Sequence, residues 1–454
     1  MQRDITQGRE WTQILLFSIP LMLGNLLQQL YNTVDGIVVG NFVSEASLAA
    51  IGSCAELAMV FLAIAMGMSN GSAILIAQLF GAKQMDKLRR AESTILILLL
   101  GIGVAMTLFG FFCARWLLRH FLNITIDEVL DLAVTYFRIY ALGLIFQYMY
   151  NCVAAILRSI GDSRATLYFL TVTVVMNLIL DLVFVIVFHW GIAGAAAATV
   201  IAQFICVTVS IIYMFKKYEL LRLDRKSFVF DREFCRTGLK MGVPTTIQQG
   251  IISFGNVFMQ RLVNTFGAAT MSAFFVGGRI MSFIFLPCQA FHMGMATFAG
   301  QNVGAGKYDR VKRGLRGIML CGIVLCLLIG LVAYLLAPTL AALFGVEGEA
   351  LRQSVQYMRV VAFLVWLMAC YLPITGTLQG TGDIVMSTTC TLCCFIMRLA
   401  SAHILAAVGV GCICIWVSQP ISWMTALIIG GIRFLSGKWK TKSLVKRGEG
   451  ESPG

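Results

Sequence analysis

Apolar runs of about 20 residues recur from one end of this 454-residue chain to the other, and each is long enough to cross a bilayer core. Hydrophobic residues make up 59% of the chain and charged residues only 13%, about half the charged share of an ordinary soluble domain. A membrane span has to satisfy its own backbone hydrogen bonds, so such runs fold as helices. The sequence therefore predicts an all-α polytopic membrane protein.

Twelve spans follow from the apolar runs and from the turn signals between them, such as GDSR after the fourth run. The predicted spans are 13–40, 48–79, 93–118, 133–157, 166–188, 191–215, 238–265, 270–302, 315–337, 355–379, 385–408 and 411–434. An even number of spans places both termini on the same side of the membrane.

Basic residues are concentrated in the gaps on one side of the predicted membrane, and they account for the net charge of +13. Cytoplasmic loops of membrane proteins carry such an excess of lysine and arginine, so we expect both termini and the 216–237 loop in the cytoplasm. The expected location of the chain is the inner membrane of a bacterial cell. This placement argues against nucleic-acid binding. The basic, polar tail is expected to be disordered and to lie against anionic lipid.

The two halves of the chain repeat three short stretches in the same order. AQLFGAK at 77 matches GQNVGAGK at 300, LRSIGD at 157 matches LQGTGD at 378, and SIP at 18 matches GVP at 242. The predicted domains are a six-helix lobe at 1–218, a cytoplasmic linker at 219–237, a second six-helix lobe at 238–435 and a polar tail at 436–454. Transporters built from such repeats bind substrate between their halves and rock one half against the other.

Two carboxylates lie well inside predicted spans, Asp35 in the first and Asp181 in the fifth. Both lie within about eight residues of the outer end of their spans, and Asn177 and Thr199 reach a similar level at about 1.5 Å per residue, whereas Asn151 in the fourth span is expected to lie deeper. Polar side chains in spans are often simple helix contacts. Two aspartates at that depth, without a basic neighbour in sequence, instead indicate a site that exchanges protons or binds Na⁺.

Two prolines occupy related positions early in the first and seventh spans, Pro20 and Pro244, and interrupt the helical hydrogen-bond ladder. They are predicted to act as hinges, with a static kink as the alternative. Six residues are predicted to line a substrate cavity: Gln28, Tyr31, Gln248, Gln249, Arg279 and Met293. For any single one of them, packing in the core is an equally good interpretation. His292, like Arg279, is expected to face the cavity of the second lobe. Arg261 and Arg398 are expected to extend towards the membrane surface or to cap carbonyls.

GAGK at 304–307 resembles the end of a phosphate-binding loop, but Tyr308 follows it where a Ser or Thr would hold Mg²⁺. Nucleotide binding is therefore not expected. The fourteen cysteines lie mostly in apolar runs and are interpreted as small packing residues. The sequence shows no set of residues typical of an enzyme, and no cofactor is expected.

Four motifs in this order resemble the multidrug and toxic compound extrusion (MATE) family of transporters. They are Pro20…Asp35, QLFGAK at 78–83, Asn151…Arg158…Gly161-Asp162 and Asn177…Asp181. The resemblance covers essentially the whole chain. It implies two pseudo-symmetric helix bundles and export of organic, often cationic, compounds in exchange for H⁺ or Na⁺.

The resemblance also implies a coupling-ion site in the first lobe. That site consists of Asp35, Asn151, Asn177, Asp181 and Thr199. Some branches of the family have further acids in the seventh and tenth spans, where this chain has Gln248 and Gln249 and no acid before Asp383. Coupling is therefore expected to rest on the first lobe, as in the DinF-like branch.

A lipid-linked oligosaccharide or lipid flippase of the same superfamily is the alternative function. Such proteins often have a basic central cavity, whereas the first-lobe carboxylates favour cations. A channel is disfavoured because the sequence shows no symmetric polar ring. The expected partners are small organic cations or drugs and the lipid bilayer, the chain is expected to be a monomer, and H⁺ and Na⁺ both remain open as the coupling ion.

Overall fold

The computed structural model describes residues 4–42, 45–222 and 228–445, and the side chains of 31–42, 45, 46 and 48 lie outside that description. Within these residues the chain is all helical. The first six helices are α1 Glu10–Phe42, α2 Glu45–Gly81, α3 Met85–Trp116, α4 Asp127–Ser159, α5 Ser163–Asp181 and α6 Gly191–Lys217. The others are α7 Arg232–Asn264, α8 Ala268–Gly304, α9 Tyr308–Ala342, α10 Gly348–Leu364, α11 Trp366–Gly380, α12 Ile384–Ala407 and α13 Ile413–Leu435.

The predicted fold class is confirmed. Helices α10 and α11 meet at a bend of 55° and together form the tenth predicted span. Over the described residues, ten single helices and this bent pair are long and apolar enough to cross a membrane. Helix α7 is long enough at 33 residues but is more polar, because it carries glutamines and asparagines along its length.

The helices extend beyond the apolar runs at the ends where basic residues lie. Helix α3 begins at Met85 and not at 93, because charged residues in a first turn can reach water from a helical backbone. We call the end of the helix bundle that carries these basic residues the basic end; in the first half of the chain it includes the α2–α3 and α4–α5 turns. The opposite end of α5 continues into a π-helical turn at Leu182–Val187.

Contacts divide the chain into two compact units. The first contains Leu23–Thr246, and the second contains Asp4–Met22 and Ile247–Gly454. The boundaries lie within α1 and α7, two residues after Pro20 and Pro244. The segment 219–237, predicted as the linker, belongs to the first unit.

In the first unit the segment before α7 is attached to α3. The amide of Val229 donates to Ser93 Oγ at 3.1 Å, and the amide of Asp231 donates to Thr94 Oγ at 3.0 Å. Arg89 Nε donates to the carbonyl of Leu220 at 3.0 Å. These bonds hold the loop against the basic end of the unit.

In the second unit the residues before α1 and after α13 pack on the same helices. Lys307 Nζ donates to the carbonyl of Thr6 at 3.0 Å. Trp439 is fully buried, stacks on Phe434 at 5.2 Å between ring centroids, and contacts Tyr308. The prediction of a disordered tail is therefore wrong for Lys438–Lys442, which form a 3-10 helix. The buried indole stabilises this helix and donates from Nε1 to Phe434 O at 2.9 Å. Residues 446–454 lie outside the described part.

Candidate functional site

Asp35 lies in α1, in the part of that helix that belongs to the first unit. Its side chain, like that of Tyr31, is outside the described residues. Helix α1 ends at Phe42, so the backbone of Asp35 is about 10 Å from that end at 1.5 Å per residue. The remaining geometry of the predicted ion site comes from α4, α5 and α6.

Asn177 and Asp181 form the buried polar end of α5. Each side chain is only 2% exposed, and the four-residue spacing puts both on one face of the helix. The π-helical turn begins at the residue after Asp181, and such turns are frequent at functional sites. The amide and the carboxylate therefore face protein rather than lipid at this level of the span.

Thr199 and Asn151 bind the carbonyls of their own helices. Thr199 Oγ1 donates to Ala195 O at 3.1 Å, and Asn151 Nδ2 donates to Gln147 O at 2.8 Å. Both bonds use a donor, which leaves the hydroxyl lone pairs and the amide oxygen as acceptors. Oxygens of this type are suitable ligands for a hard cation or for a protonated acid.

Helix packing separates Asn151 from Thr199 along the membrane normal. Gly143 on α4 lies against Val200 and Gln203 on α6, so the level of Thr199 corresponds to that part of α4. Asn151 is eight residues further towards the basic end, or about 12 Å along the helix. The geometry therefore sets Asn151 about 12 Å apart from Thr199 along the helices.

The predicted cavity residues occupy different environments within the second unit. Gln248 is 7% exposed and donates from Nε2 to Thr391 Oγ1 at 2.7 Å, which ties α7 to α12. Gln249 and Met293 are half-buried. Arg279 is exposed, and its guanidinium lies over the ring of Phe275.

Gln28, in the first-unit part of α1, is half-buried. His292 is half-buried. Its Nδ1 lies 3.0 Å from Leu372 O and its Nε2 lies 3.0 Å from Gln379 Oε1, so it bridges α8 and α11.

Comparison with known proteins decides the family. The family model described as MatE matches residues 20–183 and 244–404, one stretch in each half of the chain. The chain belongs to the MatE family. As a MatE protein it is a transporter of the multidrug efflux family and not an enzyme.

Relatives cover nearly the whole of this MatE chain. Bacillus subtilis YpnP, named a probable multidrug resistance protein, is 28% identical over 97% of this chain and 98% of its own length. Thermotoga maritima NorM, also named a probable multidrug resistance protein, is 22% identical over 96% of this chain and 94% of its own. A crystal structure described as MATE in complex with MaL6 superposes with a TM-score of 0.90 at 24% identity, over 96% of this chain and 99% of that one, so the fold is shared.

Three further buried carboxylates of this MatE protein lie near the basic ends. Asp162 and Asp383 close the fourth span of each half, and the sequence repeat had marked them only as turn residues. Glu92 is fully buried, and among the described residues neither of its carboxylate oxygens has a hydrogen-bond partner. The predicted third span began one residue later, and only the earlier start of α3 brings Glu92 into the helix bundle.

Proposed function

We propose that this MatE chain is a secondary active antiporter that exports organic cations in exchange for H⁺ or Na⁺, with both termini in the cytoplasm of a bacterial cell. The observation that carries the proposal is the burial of Asp181 and Asn177 on one face of α5, inside an apolar span. Ionisable residues inside spans are costly and mark ion and substrate pathways. The names of the relatives, multidrug resistance and export proteins, support the substrate class.

The coupling ion is proposed to bind Asp35 and Asp181 together with Asn177 and Thr199. Asp35 is seven residues from the end of α1 and Asp181 is six from the end of the π-helical turn, so both backbones lie at a similar level. A proton or Na⁺ entering from the outer side would neutralise this site and weaken its hold on a cationic substrate. Asn151, two turns away along α4, is expected to contribute least.

The rocking motion is proposed to use the two prolines as hinges. Proline removes one backbone hydrogen bond and strains the preceding turn, which lowers the cost of bending a helix. Each unit boundary falls two residues after a proline, within α1 and within α7. The parts of these helices on either side of the proline therefore belong to different units.

The test is export of a fluorescent lipophilic cation from proteoliposomes under an imposed pH gradient and then under a Na⁺ gradient. Wild type should follow one gradient, and Asp35→Asn and Asp181→Asn should each lower its coupled rate at least about tenfold, which is about 1.4 kcal/mol of lost coupling. Glu56→Gln, an exposed acid on α2 of the same unit, is the matched control. Wild-type rates in Asp35→Asn would refute the proposed site.

The hinge is tested in the same assay. Pro20→Ala restores a backbone donor within α1 and should slow turnover while leaving substrate binding intact. If the rate of Pro20→Ala equals that of wild type under the driving gradient, bending at this residue is not part of the cycle.

A further inference from the structure

One arginine within a span of the second unit is only partly exposed. Arg398 on α12 is half-buried, and its Nε is buried with no hydrogen-bond partner in the described part of the chain. Its Nη1 reaches Asn256 Oδ1 on α7 at 3.5 Å, the long end of hydrogen-bond contact, and Asn256 is exposed on this unit. The stem of the arginine is thus fixed in the helix bundle while its end emerges beside α7.

The position of Arg398 does not suit extension towards a membrane surface, which was the sequence-based expectation. Arg398 lies nine residues before the end of α12, and Asn256 lies eight residues before the end of α7. These spacings put both about 12 Å or more from the nearer helix ends. The guanidinium instead contacts Asn256 on the neighbouring helix α7.

Nothing acidic balances this charge in the described part of the second unit. Tyr357, Cys394 and Tyr371 lie within electrostatic range of Arg398. The described carboxylates of the unit all lie at or beside helix ends, at Asp4, Glu10, Asp309, Glu347, Glu349 and Asp383. A cation inside a span without a protein counter-charge is costly, which favours a counter-charge supplied by a ligand.

The polar group in contact with the Arg398 guanidinium is the amide of Asn256. Tyr357, which lies within electrostatic range of Arg398, stacks on the fully buried Trp416 at 4.6 Å between ring centroids. Tyr357 Oη already donates to Gln419 Oε1 at 3.2 Å. Because Asn256 accepts through Oδ1, its amide Nδ2 remains beside the guanidinium as a further donor. This combination is suited to an anionic oxygen.

We propose that Arg398 and Asn256 bind an anionic group of the transported compound, a carboxylate or a phosphate, so that the chain exports zwitterionic amphiphiles as well as simple cations. The inference rests on the proposed export function and names its substrate class more narrowly. A phospholipid headgroup has the same anionic chemistry, and the experiment separates the two sources.

The experiment compares two rhodamine dyes with the same cationic ring system, one with a free carboxylate and the other its methyl ester, in proteoliposomes under the driving gradient. Wild type should export the carboxylate dye in preference to the ester. Arg398→Gln should lower that preference at least about tenfold, because a charge-assisted hydrogen bond inside a protein is lost, and Arg398→Lys should restore part of it. Arg261→Gln, which removes an exposed arginine on α7, is the control and should change nothing.

Asn256→Asp provides a second variant that keeps the arginine. The new carboxylate should pair with Arg398 and abolish the preference for the zwitterionic dye, while export of the ester persists. This result would support the site even if Arg398→Gln failed to fold.

The outcomes distinguish this inference from the proposed function. Export of the ester with no effect of either variant on the carboxylate preference would overturn the anion site and leave the antiporter standing. No export of either dye by wild type would count against the antiporter itself. Rates that rise with the anionic phospholipid content of the vesicles in wild type but not in Arg398→Gln, without a preference between dyes, would assign the site to a lipid headgroup and overturn the proposal.

Discussion

An aspartate follows the fourth span in each half of the chain, at the end of two similar sequence stretches, but the two carboxylates have different hydrogen-bond partners. LRSIGD and LQGTGD end in Asp162 and Asp383, and both side chains are only 6% exposed. Asp162 binds Lys217 of α6 at 3.1 Å, and Asp383 binds Arg433 of α13 at 2.7 Å. Each acid therefore ties the fourth span to the last helix of the same half, but with a different cation.

The first of these aspartates has the larger set of partners. Its donors are the Ala165 amide to Oδ1 at 3.1 Å, and Tyr213, Lys217 and Tyr218 to Oδ2 at 2.9, 3.1 and 2.5 Å. Burial alone would raise the pKa of the Asp162 carboxyl, but the bonds from Tyr218 and Lys217 outweigh it and hold that pKa below its usual range. Asp383 is bound through Arg433 Nε, its one side-chain partner among the described residues.

The contacts between the second and fourth spans of each half also use different groups. Arg158 Nη2 donates to Asn70 Oδ1 at 2.9 Å between α4 and α2, whereas His292 and Gln379 join α8 and α11. A Cβ on Gly376 of α11 would lie 2.3 Å from His292 O, so the helices of this second pair approach through their backbones. At these two sites the first unit joins its helices through a charged hydrogen bond, and the second through a bond between uncharged groups and a close backbone approach.

The largest expected effect tests whether this difference is energetic. Asp162→Asn should destabilise the protein by about 3 kcal/mol. The variant replaces a buried carboxylate that accepts four hydrogen bonds by an amide, whose NH₂ group would face some of the same donors. Asp383→Asn should cost about 1.5 kcal/mol, since one charged hydrogen bond is weakened. The unfolding midpoints of the two variants in detergent give the comparison.

Lys217→Met and Arg433→Met are the control variants for this test, since each removes the cation and leaves the acid. Arg433→Met should then cost nearly as much as Asp383→Asn, whereas Lys217→Met should cost less than Asp162→Asn because two tyrosines still donate to Asp162. Equal costs for the two aspartate variants would show that the additional donors of the first unit do not stabilise it.

Much of the fold could be predicted because hydropathy and the charge of the gaps report directly on membrane spans. The end of the chain shows the limit of this signal. KWKTK is basic and has a single large apolar side chain, and burial of Trp439 against Tyr308 depends on a partner 131 residues away in sequence. The unit boundaries within α1 and α7 likewise depend on which helices pack together, although Pro20 and Pro244 mark the places.

The ion site shows a different limit. Helix counting from the sequence predicts a similar level for Asn177, Asp181 and Thr199, and the structure buries the first two on one face of α5. Helix counting also predicts that Asn151 lies deeper, but the size of the separation, about 12 Å, follows from the register of α4 against α6 at Gly143, which no periodicity reveals. Arg398 could be found as a charge in a span, but its contact with Asn256 required the packing of α12 on α7.

An effect of intermediate size is expected for the contacts between the second and fourth spans. Asn70→Ala should destabilise by about 2 kcal/mol because it leaves the half-buried Arg158 guanidinium without its principal acceptor. Gln379→Ala should cost about 1 kcal/mol, since a hydrogen bond between uncharged groups is lost. Both are measured as unfolding midpoints in detergent, and a larger loss for Gln379→Ala would reverse the comparison between the units.

The smallest effect is the dependence of stability on pH, and it should come from Asp162. Its folded-state pKa is below that of the unfolded chain, so the stabilisation is complete above the ordinary carboxyl pKa of 3.8 and is lost as the pH falls through the lowered folded value. The protonated acid can still accept hydrogen bonds, so acidification should remove only part of what Asp162→Asn removes. The measurement is the difference in unfolding midpoint between wild type and Asp162→Asn, which should be constant from pH 7 to about pH 5 and then narrow towards pH 3. A difference that stays constant to pH 3 would mean that Asp162 is held by its geometry alone, and the charge of Lys217 would then have no part in the contrast with the second unit.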